Sequence, residues 1–210
     1  MQNSEINQAI KYLAGNDNTL STIIKNIGII NLRPHRNYFN ALLRSIVGQQ
    51  LSVYAAAKIN ERFMKHYNYC PVPKLIIDTD SRLLRRLGLS NAKVKYVKNL
   101  SVKMLDGEIN LKKLSRKNDD EIIEMLTIVK GIGVWTVHMF LIFTLGRLNV
   151  LPYSDLGIRK AVMLNYKLKK LPDEKRIKAI AKKYNWYPYC SIVSLYLWKS
   201  LDNKFESILD

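Results

Sequence analysis

An all-α chain is what this sequence predicts, and three observations carry that expectation. Apolar residues recur three and four apart through nearly every segment, as in Phe39, Leu42, Leu43, Ile46 and Val47, while the alternation of a half-buried strand is scarce. Serine, aspartate or asparagine stands ahead of most of these runs, where the first N–H groups of a helix need an acceptor. Glycine falls at several of their ends, as at Gly28, Gly88 and Gly107. With 210 residues, 48% of them hydrophobic, the chain can bury a sizeable core. The expected form is a compact two-lobed bundle of about ten helices.

The elements follow in order. Asn18 is expected to cap "NTLSTIIKNIG", which Gly28 closes. "YFNALLRSIVGQ" carries the apolar stripe quoted above, and Ser52 caps "VYAAAKINERFMKHY". Asp80 opens "SRLLRRLG", and Ser90 opens "NAKVKYVKNLSVKMLDG". Asn118 begins "DDEIIEMLTIV", whose first turn is acidic as the helix dipole favours. Val134 to Leu145 is apolar nearly all round and should be a buried central helix. Pro172 suits the first turn of a helix through "DEKRIKAIAKKY". A last apolar helix runs from about Tyr189 to Leu201. No repeat or Pro/Gly-rich linker separates independent domains, so 1–210 reads as one domain. Its central lobe spans about 36–145, and 1–35 joins 146–210 in the second.

Charge narrows the partner. Lys and Arg number 34 against 17 Asp and Glu, a formal +17, and the pI is about 9.8. Such a balance suggests a polyanion. A membrane span is not expected, because Val134 to Leu145 falls well short of the ~20 apolar residues required. "MQNSEINQAIKYLAGN" does not have the form of a signal peptide. Cys70 and Cys190 are the only cysteines, which fits neither a disulfide framework nor a zinc or iron–sulfur site.

Two features carry chemistry. In "LTIVKGIGVWT", Gly131 and Gly133 interrupt a helical pattern at ~1 kcal/mol each relative to alanine. Such a bend lets the backbone approach another surface. It also leaves the amides of Gly131, Gly133 and Val134 at a helix N-terminus, where an anion is favoured. Lys130 adds positive charge, so a phosphate oxygen is the natural guest. Downstream, "VLPYSDLGIRKAV" places Asp155 ahead of an apolar-periodic helix. Taken alone, Asp155 reads as a helix N-cap.

Together these stretches resemble a known family. "L-x-x-V-K-G-I-G-x-x-T" is similar to the helix–hairpin–helix element that grips a DNA backbone phosphate without reading sequence. By position, the family's monovalent cation would sit on the carbonyls of Thr127, Val129 and Ile132. Hairpin, buried helix, loop and Asp155, followed three residues later by Ile158, resemble the helix–hairpin–helix (HhH-GPD) DNA glycosylases of base excision repair. The resemblance implies an active-site cleft between the two lobes and a catalytic Asp155, and the capping role is compatible with that one. Breaking a deoxyribose–base bond develops oxocarbenium character on the sugar. A fixed anion stabilises that charge and can orient or deprotonate water.

Branch follows from a few positions. Members that also cut the strand carry a lysine two residues after the second hairpin glycine, and here Trp135 stands there. That implies a monofunctional hydrolase without lyase activity. The four-cysteine cluster signature of other branches is absent. Trp135, "IVGQQLSVYAAAKI", "LGLSNAKVKYVKNLS" and "YNWYPYCSIVSLYLW" resemble the 3-methyladenine DNA glycosylase II (AlkA-type) branch, over roughly residues 35 to 200. By that resemblance Trp135, Met139, Tyr189 and Trp198 line a base pocket, since a cationic alkylpurine is attracted to an indole face. Gln49, Gln50 and Leu51 fill the gap left by the everted nucleotide; Lys130, Gly131, Ile132, Gly133 and Val134 hold the phosphate.

The implied substrate is duplex DNA with 3-methyladenine or 7-methylguanine-type lesions. A monomer is expected, with no required cofactor beyond a structural Na+ or K+ at the hairpin. The expected location is the bacterial cytoplasm and nucleoid, or the eukaryotic nucleus. Two departures stand out. The chain is too short for the bacterial prototype's N-terminal β lobe, which implies the compact form. Cys190 stands where an arginine often follows Trp-x-Pro-x. Two other readings stay open: a non-catalytic helix–hairpin–helix binding protein, and a glycosylase for deaminated or oxidised bases.

Overall fold

The structure, a computed structural model, describes residues 2–206. Among them are twelve α-helices, one 3₁₀ stretch and one π-helical stretch, and no strand. Contacts divide the chain into two units, His35–Phe140 and Met1–Pro34 with Leu141–Asp210. The boundary near residue 140 coincides with the start of the π-helical stretch, Phe140–Thr144.

The unit that contains the N-terminus begins with α1 (Gln2–Asn16) and α2 (Asn18–Ile27). The cap of α2 is Asp17, whose carboxylate accepts the Leu20 N–H, rather than Asn18, which is the first helical residue. The reason is what else Asp17 does. Buried at 1% exposure, it also accepts Trp186 Nε1–H at 3.0 Å and the Tyr166 hydroxyl. Those partners lie about 150 residues or more away in sequence, so only the folded unit selects it. The same unit holds α10 (Leu156–Asn165), α11 (Glu174–Lys183) and α12 (Cys190–Glu206). Helix α12 packs on α1, α2 and α10 and buries Ile192, Val193, Tyr196 and Leu197. Pro172 stays outside α11, which Asp173 caps, and its carbonyl instead accepts Arg159 Nε–H at 2.7 Å.

The other unit contains α3 (Tyr38–Gly48), α4 (Val53–His66), α5 (Pro73–Asp78), α6 (Ser81–Arg86) and α7 (Asn91–Leu105). The 3₁₀ stretch Leu111–Arg116, α8 (Asp119–Thr127) and α9 (Val134–Met139) follow. Caps fall on Ser52, Asp80 and Ser90 as their spacing predicts, and Asn118 forms a full capping box with Glu121. Helix α7 packs on α3, α5 and α6, and buries Val94, Val97 and Leu100.

Length and periodicity failed in three places. Helices α1 and α5 are not among the expected elements, which is why about ten helices become twelve: α1 does carry Ile6, Ala9 and Leu13 at helical spacing, all buried, while α5 is only six residues long. Val134 to Leu145 is not buried all round: Val134, Trp135 and Phe143 are 38%, 45% and 44% exposed. Nor is it one regular helix, because α9 gives way to the π-helical stretch after Met139. The wider turn there reorients the side chains that follow.

Candidate functional site

Asp155 caps α10. Its φ and ψ of −66° and 125° are extended, and its Oδ1 accepts the Ile158 N–H at 2.8 Å. The same oxygen accepts Trp198 Nε1–H at 2.9 Å. A backbone donor from the helix start and an indole from α12 therefore converge on one carboxylate oxygen, at the positive end of α10. The Trp198 ring also stacks on Phe143, with centroids 5.7 Å apart and planes at 28°.

Gly157 makes this fit possible. A Cβ there would lie 3.0 Å from Asp155 Oδ1 and 3.1 Å from Trp198 Cδ1. A glycine inside the first turn, two residues after an aspartate cap, was the available sequence signal for this contact. Phe143 carried no signal of its own, because its contact with Trp198 depends on the π-helical stretch.

Of the expected pocket residues in this unit, Tyr189 stands apart. Tyr189 does not join Trp198: it precedes α12, and nine helical residues at ~1.5 Å each put them ~13 Å apart along the axis. Its ring meets Tyr12 edge-on at 5.4 Å. Cys190 is fully buried, and burial raises its thiol pKa to about 12. No arginine-like contact with a ligand is open to that side chain.

In the unit His35–Phe140, the hairpin closes through Val129 N–H to Leu126 O at 3.2 Å and Ile132 N–H to Val129 O at 3.0 Å. Gly131 has a φ of +87°, and a Cβ on it would lie 2.2 Å from the Tyr96 ring. Both facts require glycine there. Gly133 differs. Its φ and ψ of −96° and 172° are open to any residue, and a Cβ added to it would meet nothing within 4 Å.

The amides also differ. Lys130 N–H is taken by Asn99 Oδ1 at 2.9 Å, and Ile132 N–H by Val129. Of the five residues expected to hold a phosphate, these two cannot offer their amides, because Asn99 on α7 takes one and the turn itself takes the other. Among the described residues no acceptor meets the N–H groups of Gly131, Gly133 or Val134. As for a cation, Val129 O retains one lone pair beyond its bond to Ile132. Neutral carbonyls without a carboxylate suit a monovalent ion, and no cluster of three or more His, Cys, Asp or Glu stands ready for a metal among the described residues.

Beside the hairpin lies a groove of about 780 Å³ lined by Arg44, Gln50, Leu51, Lys93, Trp135 and Met139, among others. Trp135 and Met139 sit four apart on one face of α9. Gln50 is exposed, with a φ of +55°. Gln49 is half-buried, and its Nε2–H donates to Gly131 O at 2.7 Å. The structure thus brings Gln50, Leu51, Trp135, Met139 and Gly131 to one groove, and turns the Gln49 amide onto the hairpin. Arg44, Lys93 and Tyr96 line it too; the sequence offers the stretch that holds Lys93 and Tyr96 only as a resemblance and Arg44 only as a polar position beside an apolar stripe, so it gives none of the three a role.

Residues 43–185 match the family described as HhH-GPD superfamily base excision DNA repair protein. The chain is 33% identical over 205 residues to DNA-3-methyladenine glycosylase 1 of Schizosaccharomyces pombe, covering 94% of this chain and 88% of that one. It is 33% identical over 171 residues to YfjP of Bacillus subtilis, of which it spans 59%. Among solved structures, S. pombe 3-methyladenine DNA glycosylase (Mag1) in complex with abasic DNA superposes with a TM-score of 0.80 at 34% identity, over 91% of this chain and 95% of that one.

Proposed function

Because this chain belongs to the HhH-GPD superfamily of base excision DNA repair proteins, we propose that it is a monofunctional DNA glycosylase releasing alkylated purines from duplex DNA. The observation that carries the chemistry is Asp155, whose Oδ1 is held by the Ile158 amide at 2.8 Å and the Trp198 indole at 2.9 Å. A carboxylate fixed in this way stabilises positive charge on the deoxyribose as the base departs, with no reorganisation at the moment of reaction. It also orients the water that attacks C1′ and accepts its proton. The products are the free base and an abasic site.

Roles in the other unit follow from its geometry. The Gly131, Gly133 and Val134 amides take a backbone phosphate, with the Lys130 ammonium as a further positive charge. Gly133 supports this, since folding does not require glycine there and close approach of a ligand does. Gln50 and Leu51 occupy the gap in the stack. Trp135 and Met139 receive the base, and the indole face attracts a ring made cationic by alkylation. Trp135 occupies the position where a strand-cutting relative would need an amine, so no Schiff base forms.

The enzyme works as a monomer in the compartment that holds its DNA, without an organic cofactor. The carbonyls of Thr127, Val129 and Ile132 would hold a sodium or potassium ion, whose charge would steady the hairpin.

One assay tests this function. Duplexes carrying 3-methyladenine, 7-methylguanine, 1,N6-ethenoadenine, hypoxanthine or 8-oxoguanine are incubated with the protein, with and without alkali. Strand breaks on alkylated purines only after alkali are expected, and Asp155→Asn abolishes them while DNA binding persists. Breaks without alkali overturn the monofunctional assignment. Breaks only on hypoxanthine or 8-oxoguanine overturn the substrate class. No product on any lesion leaves a DNA-binding protein.

A further inference from the structure

We propose that Gln49 is a positioning residue, a strut that sets the wedge loop at a fixed distance from the phosphate-gripping hairpin; this rests on the DNA-binding part of the function proposed above. Four contacts build the frame. Gln49 Nε2–H donates to Gly131 O at 2.7 Å across 82 residues of sequence. Lys93 Nζ donates to Val47 O at 2.8 Å, at the end of α3 just before the loop. The Tyr96 ring lies directly against Gly131. Asn99 Oδ1 accepts the Lys130 N–H at 2.9 Å.

Lys93, Tyr96 and Asn99 are three apart, so one face of α7 carries all three contacts. Helix α7 thus holds the root of the loop at one end and the hairpin at the other. Gln49 closes the frame between them.

The loop needs that support. Gln50 has a φ of +55°, a left-handed backbone that a residue with a Cβ adopts at a cost. Gln50 and Leu51, at 38% exposure for the latter, point outward, whereas Gln49 is half-buried. With the frame intact, anchoring the hairpin on a phosphate fixes where Gln50 meets the base stack. Without it, the hairpin still binds the backbone but the wedge no longer arrives in register.

The test compares Gln49→Ala and Gln49→Glu with Gln50→Ala. The probes are an undamaged duplex, a duplex with a tetrahydrofuran abasic analogue, and a duplex with 2-aminopurine beside the analogue. Gln49→Ala is expected to bind undamaged duplex within twofold of wild type and to lose its preference for the analogue about fivefold, the scale of one hydrogen bond. The 2-aminopurine signal should fall with it. Gln49→Glu keeps the size but sets a carboxylate against the Gly131 carbonyl, so it should lose more than the alanine variant. In a Gln50→Ala background, Gln49→Ala should add nothing, because the strut acts through the wedge. Equal loss on both duplexes, a glutamate variant that behaves like wild type, or independent multiplying losses would overturn the strut. None of these readouts needs base release, so a wild-type protein that bound but released nothing would overturn the glycosylase function and leave the strut still under test.

Discussion

Replacing Trp198 with Phe removes the indole N–H from Asp155 and keeps a ring that can stack on Phe143. The lost bond is 2.9 Å long and part-buried. Hydrogen bonds to charged groups are worth about 1.5–3 kcal/mol, and partial exposure favours the lower end of that range. At ~1.4 kcal/mol per decade, single-turnover base release should slow about tenfold. The Ile158 amide, 2.8 Å from the same oxygen, still holds Asp155 at the start of α10, so the loss should stop well short of that in Asp155→Asn. The assay is base release with enzyme in excess over a 7-methylguanine duplex, read as alkali-labile breaks, alongside affinity for undamaged duplex. Affinity should stay within twofold. In an Asp155→Asn background, Trp198→Phe should change nothing further. A release rate within twofold of wild type would refute the claim that the indole sets the carboxylate, as would a loss accounted for wholly by weaker DNA binding.

Other outcomes follow from the same geometry. Gly131→Ala should lower the melting temperature and weaken DNA binding, because its φ is +87° and its Cβ would enter the Tyr96 ring. Gly133→Ala should leave the melting temperature unchanged and weaken binding alone; a fall in stability comparable to Gly131→Ala would contradict the open space around it. Tyr166 is pushed well above its ordinary value, first by burial and then by its bond to Asp17. The folded protein keeps that proton while the unfolded chain loses it, so the stabilisation is whole below pH ~10 and declines as pH rises beyond. Urea midpoints from pH 7 to 11 should fall at the alkaline end, and less steeply in Tyr166→Phe. Burial raises the Cys190 thiol to about 12, so at pH 8 a thiol reagent should modify one cysteine per folded chain, the exposed Cys70, and two after denaturation.

Much of the candidate site was legible because it is local chemistry. Ser52, Asp80, Ser90, Asn118 and Asp155 cap the helices that follow them within three residues, a relation that needs no tertiary information. Gly131 and Gly133 marked the hairpin in the same way. What local pattern could not supply was the use each group is put to by distant ones. Asp17 displaces Asn18 as a cap because Trp186 and Tyr166 reach it. Lys130 and Ile132 lose their amides to Asn99 and Val129.

By itself, then, the sequence determined an all-helical chain, a glycine bend, an aspartate at a helix start, and a strong positive charge. Tertiary structure alone decided that the Trp198 indole holds Asp155, that Tyr189 lies more than two turns away against Tyr12, and that the Gln49 amide faces the hairpin. Caps and periodicity are set by groups within one or two turns of each other. A hydrogen bond across 43 or 82 residues exists only once packing has brought its two ends together.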